Sequence, residues 1–141
     1  MIREISVQIE NEPGRVHVVA DALGSAGIDI AALSIADGET TGVLRLIVAD
    51  LAGARHALMS MDLPATVGDV VAVAAPDRPG GLAAVLAPLQ REGVDVRYLY
   101  AFRRAGGNEA VVVLHTDRDG EVEALLADAG FSMVREETIH G

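Results

Sequence analysis

Ile5-Ser6-Val7-Gln8-Ile9-Glu10 alternates apolar and polar residues, which predicts a strand with one buried face. Val16, Val19, Ala20 and Leu23 then recur at helical spacing and predict a helix with one apolar stripe, stopped at Gly27. Asp29 to Ala36 reads as a second strand, Asp37-Gly38-Glu39 as a hairpin turn and Thr41 to Val48 as a third strand. Leu51, Ala54, Leu58 and Met61 form a second helical stripe ended by Pro64, and Ala65-Thr66-Val67 supplies a short fourth strand. After Gly68-Asp69 the same series begins again. Val70 to Ala75 is a strand, and Leu82, Val85, Leu86 and Leu89 a helix with Pro88 expected to kink it. Val94 to Phe102 is an alternating strand, Gly106-Gly107-Asn108 a turn and Glu109 to His115 another strand. Val122, Leu125, Leu126 and Ala129 mark the last helix, Gly130 its stop, and Ser132 to Ile139 a final strand.

The repetition is in register. Asn11-Glu12-Pro13-Gly14-Arg15-Val16 with Gly27-Ile28-Asp29-Ile30 returns 66 positions later as Asp77-Arg78-Pro79-Gly80-Gly81-Leu82 with Gly93-Val94-Asp95-Val96. Four landmarks at one offset indicate an internal duplication, with domains at 1–68 and 69–141. Each half reads β-α-β-β-α-β, and the expected class is α+β with two ferredoxin-like domains. Domains this small are marginal alone, so the halves are expected to pack on one another.

Charge narrows the partners. All 11 basic residues are arginine against 21 acids, a net charge of −10. Residues 1–70 hold four arginines against ten acids and residues 71–141 seven against eleven, so the deficit is shared. Such a surface repels phosphate backbones and anionic lipid, which argues against nucleic acid and membrane partners. Tyr98, Tyr100 and Phe102 line one strand, but at core-like alternation and on an acidic chain, so an RNA-binding sheet is the weakest reading. Cysteine is absent, removing disulfides and thiolate chemistry. Met1-Ile2-Arg3-Glu4 opens a strand pattern without a basic-then-apolar leader, and no run of 18 apolar residues occurs; a soluble cytoplasmic protein is expected.

Catalytic constellations are missing from the sequence. His17, His56, His115 and His140 show no metal-ligand spacing, and no serine sits in a GxSxG elbow. Gly80-Gly81 is not followed by the Lys-Ser/Thr of a phosphate loop. A small metal-dependent enzyme built of paired repeats needs His and Glu ligands on strands, and only His115 lies on one. No enzyme, cofactor or metal is expected.

The duplicated loop remains. A helix N-terminus offers unpaired N–H groups and partial positive charge, so a carboxylate docks there without a basic side chain. Gly14 and Gly80 allow close approach to the backbone, and Asn11 and Asp77 offer acceptors for an ammonium. Asp29 and Asp95, at the start of each second strand, are expected within reach of the same pockets. A free amino acid satisfies such a site. The alternative is ligand-free: Asn or Asp before Pro-Gly is also helix-capping chemistry, with Pro13 in the first turn.

D-x-P-G-x-L, a ten-residue helical stretch and then G-V-D-V, on this element order, resembles an ACT domain. Two copies covering nearly the whole chain resemble stand-alone tandem ACT proteins. The resemblance implies regulation by small molecules, usually amino acids. It also implies domains side by side in an eight-stranded antiparallel sheet with helices on one face, and ligands at the paired interface. Carried over, Asn11, Glu12, Pro13, Gly14, Arg15, Asp29 and Ile30 make one site. Asp77, Arg78, Pro79, Gly80, Gly81, Asp95 and Val96 make the other. The family often has Asn where this chain has Asp29 and Asp95. Arg15 against Gly81, and Asn11 against Asp77, mark the copies as unequal. The expected function is a non-catalytic amino-acid sensor read by a partner enzyme or regulator. A ligand-free interaction or oligomerisation module stands as the alternative, and homodimerisation is left open under either.

Overall fold

A computed structural model describes residues 1–103 and 107–140; the turn expected at Gly106-Gly107-Asn108 falls partly outside them. Two compact units emerge, one of residues 3–68 and one of residues 69–139 with Met1 and Ile2.

In the first unit β1 (Ile2–Glu10) leads to α1 (Arg15–Ser25), then β2 (Ile30–Ala36), β3 (Thr41–Val48) and α2 (Leu51–Met59). β3 pairs antiparallel with both β1 and β2, with Val7 opposite Leu44 and Ile5 opposite Leu46. This register puts Ile5, Val7, Ile9, Leu44 and Leu46 on one face, where Val19 and Leu23 of α1 and Ala54 and Leu58 of α2 bury them. The burial that drives the fold thus follows the two predicted periodicities, two in the strands and 3.6 in the helices. The α1 stripe is narrower than expected: Val16 and Ala20 are exposed.

The second unit repeats the plan with most of β4 (Ala65–Pro76), α3 (Gly81–Arg91), β5 (Val96–Arg103), β6 (Glu109–Thr116), α4 (Asp119–Asp128) and a short α5 (Glu136–His140). β6 pairs with β4 and β5, and Val71, Val73, Val112 and Leu114 meet Val85, Leu89, Val122 and Leu126. Leu82, expected on the buried stripe, is exposed. α3 runs through Pro88, which is buried, as a single helix. The elements match at an offset of 66 residues through α3 and of 68 from β6 onward, because the second hairpin is two residues longer.

Two expectations about strands are corrected, leaving six strands among the described residues where eight were expected. Ala65–Val67 and Val70–Ala75 are one continuous strand, since Gly68-Asp69 takes extended backbone without turning. The expected final strand shrinks to a bridge between Val73 and Met133, with Ala74 donating to Ser132 O at 2.9 Å and Val134 to Ala72 O at 2.8 Å. Beyond Val134 the apolar alternation stops, and Glu136 and Glu137 stand in the first turn of α5, where acids favour helix. α2 also ends earlier than Pro64, through a left-handed turn at Asp62. No helix among the described residues is long and apolar enough to cross a membrane.

Candidate functional site

The loops that open α1 and α3 share one backbone. Gly14 and Gly80 are the N-cap residues, both left-handed at φ 86, and neither helix has a side-chain cap. This corrects the capping role expected of Asn11 and the first-turn place expected of Pro13: the proline precedes the cap and Gly14 makes the turn. A Cβ built on either glycine meets nothing within 4 Å, so the space beside both backbones is open. The first-turn N–H groups of Val16 and His17, and of Leu82 and Ala83, have no helical carbonyl to pair with.

Asn11 and Asp77 tie their loops to the neighbouring hairpin instead. The Asn11 backbone donates to Thr40 O at 3.1 Å, and its amide nitrogen donates to Gly38 O and lies 3.3 Å from Asp37 Oδ1. The Asp77 backbone donates to Asn108 O at 3.2 Å, and its carboxylate pairs with Arg103 Nε at 2.9 Å. Asn11 and Asp37 are each 66 positions before Asp77 and Arg103. One contact is therefore kept in both copies by an amide–carboxylate pair in one and a carboxylate–guanidinium pair in the other.

Beside the first loop lies a cavity of about 270 Å³. The end of β1 contributes Ile9 and Glu10, α1 contributes Arg15 and Val19, and the turn after α2 contributes Asp62 and Leu63. Arg15 Nη2 donates to Glu10 Oε2 at 3.1 Å and to Glu12 Oε2 at 3.5 Å. Asp62 has φ 57, alone among the described non-glycine residues in taking a positive φ. Around it the Asp62 backbone donates to Met59 O and Leu63 to Leu58 O, each at 3.0 Å. The second copy makes the same two bonds from Gly130 and Phe131, to Ala127 O and Leu126 O, with Gly130 at φ 93. Left-handed backbone crowds a Cβ, so Asp62→Gly is expected to raise stability by up to about 1 kcal/mol in urea denaturation. An unchanged or lowered midpoint contradicts the strain.

The sequence matches the ACT domain pair family over residues 1–140. The chain belongs to that family. A crystal structure of a protein from Bacteroides thetaiotaomicron is similar at 31% identity and a TM-score of 0.88, over 98% of this chain and 94% of that one. The ligand-free regulatory subunit of aspartate kinase from Thermus thermophilus shares the fold at 17% identity and a TM-score of 0.65, over 90% and 91% of the two chains. The corresponding subunit from Thermus flavus does so at 16% identity and a TM-score of 0.62, over 91% and 92%. A comparison with curated proteins finds no match.

Within each repeat of this ACT domain pair the expected site residues separate into two groups. Asn11, Glu12, Pro13, Gly14 and Arg15 form one loop, and Asp77, Arg78, Pro79, Gly80 and Gly81 the other. Asp29 and Ile30 lie at the opposite end of their strands. Ile30 is paired with Val48 while Glu10 is paired with Thr41, seven residues away along β3. At roughly 3.4 Å per residue the separation is about 24 Å, which no side chain bridges. Asp95 and Val96 stand at the Thr116 end of β6, whereas Pro76 is paired with Glu109 at the other. The Asp95 carboxylate lies 3.4 Å from Arg97 Nη1, and its backbone exchanges bonds with Asp117. The expectation that Asp29 and Asp95 reach the loop of their own repeat is thus corrected: β2 and β5 start where the preceding helix has already carried the chain back along its strand.

Sequence reasoning missed Glu10, Asp62, Asp37 and Arg103. The last two were visible as a matched pair at the 66-residue offset, and Asp62 as the residue standing where the second copy has Gly130. His115 lies elsewhere, with Nδ1 2.6 Å from Asp119 Oδ2 and its ring 5.3 Å from that of Tyr98. Among the described residues no group of three His, Asp or Glu is placed to hold a metal ion.

Proposed function

We propose that this ACT domain pair binds a free amino acid, or a similar small carboxylate, at one or both of the loops opening α1 and α3, and that binding is read by a partner enzyme or regulator. The observation that carries this reading is the twin proline-glycine loop. Each copy holds a glycine at φ 86 with open space beside it and unpaired first-turn N–H groups behind it. Such groups bind carboxylates through charge-assisted bonds aligned with the helix dipole. The similarity in fold to regulatory subunits of aspartate kinase supports the regulatory half of the proposal.

Titration calorimetry of the full chain against the common amino acids is the test. Saturable binding of at least one is expected, weakened several-fold in Asn11→Ala where the first loop carries the site and in Asp77→Ala where the second does, since each substitution releases its loop from its hairpin. Flat titrations across the panel remove the reading. A second reading, a ligand-free oligomerisation module, draws on Leu33 and Ile35, which are 47% and 51% exposed on β2. A melting temperature that rises with protein concentration and ignores amino acids supports that alternative.

A further inference from the structure

We propose that the working ligand site is the charged cavity of the first repeat alone, and that it takes an α-amino acid with an apolar side chain, its carboxylate on Arg15 and its ammonium on Asp62. The proposal rests on the reading that the chain binds amino acids, and names the class and the copy.

The duplication copied the fold but not the charges. At the matching positions Glu10 is replaced by Pro76, Arg15 by Gly81 and Asp62 by Gly130. Every ionisable group that walls the first cavity is therefore lost from the second copy. Arg15 makes both of its ion pairs through Nη2, so Nη1 and Nε keep donors for a ligand carboxylate. The Asp62 carboxylate has no hydrogen-bond or ion-pair partner among the described residues. It occupies a turn that glycine makes without strain in the other copy, so a carboxylate stands where the backbone favours glycine. Between these charges the wall is more apolar than polar, with Ile9 and Val19 almost fully buried and Leu63 beside them, and Gln8 and Thr41 adding polar groups. A volume of about 270 Å³ lies at the small end of ligand sites and has room for an amino acid.

The test is calorimetry on the full chain with L-leucine, L-valine and L-methionine, alongside 3-methylbutylamine and 4-methylpentanoate, which lack the carboxylate and the ammonium respectively. At least one of the three amino acids is expected to bind. The amine and the acid should bind about tenfold or more weakly, as should the amino acid to Arg15→Gln and Asp62→Gly. Because Asp62→Gly is expected to raise the melting temperature, its loss of affinity does not arise from unfolding. Wild-type affinity in both variants, or an amine that binds as well as the amino acid, overturns the assignment of this cavity while amino-acid binding stands. A response confined to polar or charged amino acids overturns the apolar assignment. Flat titrations with every common amino acid remove both this inference and the function it rests on.

Discussion

Gly81→Ala is expected to destabilise the protein by about 2–3 kcal/mol, the range of an overpacked core position. A Cβ at Gly81 lands 2.0 Å from the carbonyl oxygen of Pro76 and 3.1 Å from its carbon. Both are backbone atoms at the end of β4, so no side chain can rotate away. The start of α3 has to lift off the strand, and the Gly81–Arg78 bond of 3.0 Å stretches with it. Arg15 stands at the matching position of the first loop, where the corresponding bond is longer, 3.4 Å. Gly24→Ala is the control: that glycine is exposed within α1, its Cβ meets nothing within 4 Å, and alanine favours helix by about 0.5–1 kcal/mol. Urea denaturation of the two variants should move in opposite directions. Equal midpoints mean that the close approach at Gly81 is absent.

Asp119→Ala is expected to cost about 3 kcal/mol. Its carboxylate, 11% exposed, accepts from the Thr116 backbone and hydroxyl at 2.7 Å each and lies 2.6 Å from His115 Nδ1. Thr116 Oγ in turn accepts from the Arg118 backbone at 3.0 Å. Alanine leaves the donors of Thr116, itself 4% exposed, without partners, and an orphaned buried donor costs about 1–3 kcal/mol. Asp119→Asn keeps one acceptor and should cost less than half as much. A loss under about 0.5 kcal/mol in Asp119→Ala contradicts the bracing role. Amino-acid affinity is expected to be unchanged in either variant, since the cluster lies in the second repeat and the proposed site in the first.

What could be read early and what could not separates by range. Val19 and Leu23, Val85 and Leu89, and the alternation in Ile5, Val7 and Ile9 were legible because burial of one face imposes a local period. The missing strands were not. Gly68-Asp69 looks like a joint, yet it runs in extended backbone within β4, and Ser132 to Ile139 contains apolar residues but makes a bridge only at Met133. Part of the site was equally hidden. Glu10 and Asp62 stand 52 positions apart in the sequence, and only the return of the chain through α2 sets Asp62 on the same cavity as Glu10 and Arg15.

By itself the sequence determined the period and order of its elements and the proline-glycine loops, because each depends on residues within one turn or one strand, and the duplication, because those local patterns return 66 positions later. Tertiary structure decided which ends meet. The parallel direction of β1 and β2 carries Asp29 away from Arg15, and the left-handed turn at Asp62 brings a distant carboxylate to it, since the geometry of a pocket is set by packing across elements and not by spacing along the chain.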